Sequence, residues 1–87
     1  MISTMRDLIA EALFASALQP SDAPVAETVR ATVTSMLLRL GSDGCAANVA
    51  QEFGDHPETA VRRMGWVRKL MSVTYPDLSR NAAGSFV

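Results

Sequence analysis

VAETVRATVTSMLLRLG, residues 25–41, carries the clearest hydrophobic period of the chain, with Val25, Val29, Val33, Met36, Leu37 and Leu40 as its apolar positions. Steps of four, four, three, one and three trace one face of a 3.6-residue helix. The composition of the same stretch argues the other way. Val29, Thr32, Val33 and Thr34 are β-branched and lean toward strand. Strict alternation fails from Met36 onward, so the period decides and the stretch reads as a helix over 24–40. Pro24 suits the first turn, where a missing N–H costs nothing. Gly41 suits the stop, as a residue that accepts the left-handed region.

Outward from this helix the chain continues in the same style. Towards the N-terminus, Met5, Leu8, Ile9, Ala12 and Leu13 fall on one stripe, which predicts a helix over 4–18. Thr4 and Asp7 have the spacing of a capping box. Phe14 and Leu18 lie beside the stripe and widen its apolar arc, leaving Arg6, Asp7 and Glu11 for solvent. Pro20 and Pro24 break the chain between the two helices.

Towards the C-terminus, Ser42-Asp43-Gly44 reads as the cap of a short helix over 44–53, with Ala46, Val49, Ala50 and Phe53 inward and Gly54 at its end. Asp55-His56-Pro57-Glu58 then restarts a helix over 57–73, with Asp55 as cap and Val61, Met64, Trp66, Val67, Leu70 and Met71 on its apolar side. Tyr75-Pro76 closes it. The expected fold is all-α, a small four-helix orthogonal or bundle-like domain over 1–77, with a flexible tail over 78–87.

Composition limits the functional classes. The 87 residues suit one domain, and 48% apolar with 20% charged residues is globular. Seven Arg, 13 Ala and 8 Val resemble the usage of a GC-rich bacterial genome. Cys45 is the single cysteine, which fits a reducing, cytoplasmic setting. The first residues lack a secretory pattern, and no apolar run approaches the ~20 residues of a membrane span. No membrane partner is expected.

Reaction chemistry is hard to find. His56 has no partners at ligand spacing, so neither a metal nor a cofactor is expected, and a solvent-facing place in the turn is its simplest role. Ser3, Ser16 and Ser42 have no histidine to activate them. The pairs Asp7/Glu11 and Asp55/Glu58 are explained by first-turn placement and a solvated face. Cys45 reads as a small buried residue. The chain is expected not to be an enzyme.

Charge is unevenly distributed. Residues 1–54 hold three Arg against six carboxylates, a net −3, whereas residues 55–87 hold five cations against three carboxylates, a net +2. The excess falls on the fourth helix, at Arg62, Arg63, Arg68 and Lys69.

Residues 49–64, VAQEFGDHPETAVRRM, resemble a helix-turn-helix of the kind found in the last region of bacterial sigma factors and related regulators. Ala50, Gly54 and Ala60 hold the places of the motif's small residue, its turn glycine and the small residue six further on. Asp55 and Arg63 stand where that family buries apolar side chains. The resemblance implies that the fourth helix meets DNA, with Arg62, Arg63, Arg68 and Lys69 on phosphates.

Against this stands an expectation drawn from surplus apolar surface: a small non-catalytic domain that binds a protein partner or a second copy of itself. Phe14, Leu18, Trp66 and Met71 are its expected contacts. Gly65 beside Trp66 suggests a close helix crossing, within the domain or against another molecule.

Overall fold

The computed structural model describes residues 4–78. The elements are α1 (Met5–Ala15), a 3-10 turn (Pro20–Asp22), α2 (Ala26–Asp55) and α3 (Pro57–Thr74), with no strand among the described residues. The all-α expectation holds, including through the β-branched residues 29–34.

Helix α1 starts as its sequence dictates. The Asp7 N–H donates to Thr4 Oγ1 at 3.1 Å, and the Thr4 N–H donates to Asp7 Oδ2 at 3.4 Å, closing the capping box. The helix ends at Ala15, three residues earlier than the period suggested. There Ser16 turns extended and its hydroxyl donates back to the Leu13 carbonyl at 2.6 Å.

Helix α2 starts later than expected, at Ala26 with Val25 as its N-cap, so Pro24 lies before the helix rather than in its first turn. Its ladder runs on to Asp55, but Gly41 adopts φ 74°, ψ 168° and breaks the direction of the chain. The result is a front arm over 26–40 and a rear arm over 42–55. Ser42-Asp43-Gly44 therefore belongs to the rear arm itself rather than to a separate cap. The bend is sharp. Residues nine apart in a straight helix lie about 13.5 Å apart along the axis, yet the buried Cys45 thiol reaches the Met36 carbonyl at 3.9 Å.

Only His56 separates α2 from α3, and it serves as C-cap of one and N-cap of the other without a side-chain cap bond. Asp55, expected to cap α3, is instead the last residue of α2.

The core is shared by three helices. Ile9, Ala12, Leu13 and Phe14 come from α1; Val29, Val33, Met36 and Cys45 from α2; Ala60, Val67 and Met71 from α3. On α3 the buried positions Ala60, Val67, Met71 and Thr74, with Met64 partly buried between them, repeat at four, three, four and three. That stripe is one residue away from the expected one at its start. Val61 is 60% exposed, and Ala60 takes the inner place at 2%. A methyl side chain there lets α3 approach closely, which a valine would prevent. Leu78, assigned to the tail, is half-buried and packs against the core. The remainder of that expected tail, residues 79–87, lies outside the described residues.

Two outcomes follow. Gly41→Ala forces an L-residue into a region that is essentially glycine-only and costs roughly 1–3 kcal/mol, read by urea unfolding. Burial, with the Glu11 carboxylate adding to it, pushes the Cys45 thiol above its ordinary 9.0. The unfolded thiol then ionises first, so stability is fully present below pH 9.0 and falls as pH rises through the folded value. Burial pushes Tyr75 upward from 10.0 in the same sense, with Arg30 opposing. In Cys45→Ala the decline is expected to start about one pH unit later, where tyrosine begins to titrate.

Candidate functional site

The four cations of α3 part company in space. Arg62, Arg68 and Lys69 are exposed, whereas Arg63 is partly buried. Arg63 turns inward to the end of α1. Its Nε donates to the Phe14 carbonyl at 2.8 Å, and one Nη donates to Leu13 at 3.2 Å and to Ser16 at 2.9 Å. The planar group lies 5.6 Å from the Phe14 ring centroid and 5.5 Å from that of Trp66.

The last turn of α1 has no basic residue of its own. Its final carbonyls lack partners within the helix and carry the negative end of the helix dipole, so a cation arriving there is favoured twice. Burial pulls the Arg63 guanidinium below the usual arginine range. Arg63 is thus a structural clasp, and its expected place among the DNA-contacting cations is corrected by these hydrogen bonds.

The expected interface residues divide as well. Phe14 and Met71 are both 3% exposed and belong to the core, because Phe14 also stacks on Phe53 with ring centroids 5.8 Å apart. Leu18 and Trp66 are half-buried and pack against that core. What is open to solvent is a different set: Leu38 at 81%, Val73 at 79%, Val25 at 64%, Met5 at 61%, Val61 at 60% and Leu40 at 44%. The period along the chain did not find these, since it placed Met5, Val25, Leu40 and Val61 on the inner stripes and left Leu38 and Val73 unassigned.

Two of them, Val61 and Val73, share the outer face of α3 with Arg62, Gly65, Arg68 and Lys69. Gly65 is helical, and a Cβ built on it meets nothing within 4 Å. No crossing inside the domain accounts for it. A glycine here costs the helix about 0.5–1 kcal/mol relative to alanine.

The residues of the motif-like segment are placed as follows. Ala60 is buried, but Ala50 is exposed, and Gly54 lies inside α2 with open space around it.

Open hollows mark the surface of the described residues. An open groove of about 630 Å³ lies between the α1–α2 connection and the front arm, lined in part by Leu18, Thr28, Thr32 and Ser35, with Glu27 and Arg39 at its margin. A shallower one of about 430 Å³ opens at the start of α3, against Pro57, Glu58, Val61 and Arg62. Neither of these is lined by a histidine or cysteine, and a third of about 320 Å³ at the turn is lined by His56, Pro57, Glu58 and Thr59. His56 is exposed in the turn, and Cys45 is fully buried. Among the described residues no group of three His, Cys, Asp or Glu is placed to hold a metal, and no helix is long and apolar enough to cross a membrane.

Arg63→Ala is expected to lower unfolding stability by about 2 kcal/mol, because charge-assisted bonds to three carbonyls vanish. Arg63→Lys restores only part of it, having no planar fork to span them. Gly65→Ala should do the opposite and raise stability by about 0.5–1 kcal/mol in the same assay. In comparisons with protein-family models, curated proteins and solved structures, the chain matches none of them.

Proposed function

We propose that this domain is a non-catalytic interaction module that recognises another protein. The observation that carries the reading is the set of large apolar side chains standing in the open, led by Leu38 at 81% and Val73 at 79% exposure. Covering one such side chain contributes about 1.5–3 kcal/mol, so a contact that buries two or three supports specific association. Single exposed hydrophobes are ordinary on a protein surface. Here Val61 and Val73 stand on one helix face beside a glycine with no internal packing duty, and that grouping is what favours recognition. The buried lone thiol suits a reducing, cytoplasmic setting.

DNA binding is the second reading, and one observation favours it: Arg62, Arg68 and Lys69 are exposed on a single helix. It is the weaker reading, because Arg63 is spent on α1 and Glu58 stands at the start of the same face. Three cations neutralise few phosphates, and tight binders engage more.

The test is recovery of the intact chain from an extract of its source cells. A single polypeptide is expected to co-purify in near-stoichiometric amount through a 0.5 M salt wash, and to be lost with Leu38→Asp or Val73→Asp. Recovery of no partner, together with salt-sensitive retardation of duplex DNA that Arg62→Ala and Arg68→Ala abolish, would overturn it in favour of the second reading.

A further inference from the structure

The outer face of α3 combines three features that no internal contact explains. Gly65 sits mid-helix with open space where a side chain would stand. Val61 and Val73 flank it along the helix, at 60% and 79% exposure. Arg62 and Arg68 lie on the two sides of this row, and Lys69 stands within it between Gly65 and Val73, all three exposed. With 100° per residue, all six positions fall within less than half of the helix circumference.

We propose that this face docks a helix of a partner protein that presents a small or apolar stripe flanked by carboxylates. The inference rests on the interaction reading above and names its partner's chemistry. A glycine lets two helix axes come close, so the partner's side chains reach the backbone groove at Gly65, while Val61 and Val73 are covered on either side. Arg62 and Arg68 would then meet acidic residues at the rim and Lys69 one nearer the centre, where charge complementarity selects the partner and speeds encounter.

Charge decides between candidate occupants. The face carries Arg62, Arg68 and Lys69 against Glu58, a net +2. Two copies meeting face to face would set these cations against each other. A copy offering its acidic front half instead would make a head-to-tail contact, which leads to rings or open chains rather than a closed pair. Phosphate backbones satisfy the cations but gain nothing from covering the exposed Val61 and Val73. An acidic amphipathic helix uses the cations, both valines and the open backbone at Gly65, with its carboxylates set away from Glu58.

The test uses the full chain and two labelled 18-residue helical peptides, each with a Leu/Ala stripe. One peptide is flanked by Glu, and its twin carries Lys at the same positions. Fluorescence anisotropy at 20 mM salt is expected to show at least tenfold tighter binding of the Glu peptide. Gly65→Leu should weaken that binding at least tenfold while the melting temperature does not fall, which separates lost docking from lost folding. Arg62→Ser with Lys69→Ser should weaken it and flatten its salt dependence.

Equal binding of the twin peptides, no binding of the Glu peptide, or no effect of Gly65→Leu overturns the proposal. So does displacement of the peptide by equimolar duplex DNA, which would make the face a nucleic-acid surface. The co-purification of the previous subsection keeps the two readings apart. A partner retained by Gly65→Leu but lost with Leu38→Asp leaves an interaction module whose contact lies elsewhere. Loss of both signals removes both.

Discussion

Helix α1 ends with carbonyls of which only that of Leu13 is paired locally, by Ser16, and an arginine on α3 supplies further donors to Leu13, Phe14 and Ser16. Arg63 spans the carbonyls of Leu13, Phe14 and Ser16 and lies against the rings of Phe14 and Trp66. This contact fixes both the height and the rotation of α3 against α1. With Arg63 turned inward, Ala60 and Val67 face the core three before it and four after it, and Val61 and Arg62 are sent outward. The composition of the outer face is therefore a consequence of how the inner face is anchored.

The parts of this fold that were legible in the sequence are those governed by local rules. The Thr4–Asp7 box, the helical period across 25–40, the glycine stop at 41 and the burial of Cys45 each depend on residues within a few positions of one another. Gly41 also shows the limit of such rules, since it marks a change of direction within a continuing ladder and not a loop between helices.

What was illegible depended on contacts distant in sequence. Arg63 bonds to atoms 47 to 50 residues away, and no period assigns a lone arginine to the end of another helix. The choice between Ala60 and Val61 is of the same kind: hydrophobicity favours the valine, and only the closeness of the opposing surface favours the alanine. Phe14 and Met71, expected as contacts from surplus apolar surface, are needed inside the core instead. The most exposed apolar side chains, Leu38 and Val73, fall off the stripes read from the sequence, and no local rule gives them a role.

Trp66 is the single tryptophan of the chain, and it sits with the Arg63 cation 5.5 Å from its ring centroid. The junction on which the three-helix arrangement turns is thus built around the molecule's own chromophore. Its emission colour and quenching register whether the clasp between α3 and α1 is closed, without any label being attached. Because the ring is half-buried at the edge of the face where Gly65 lies, the same signal distinguishes a molecule approaching that face from a loosening of the domain beneath it.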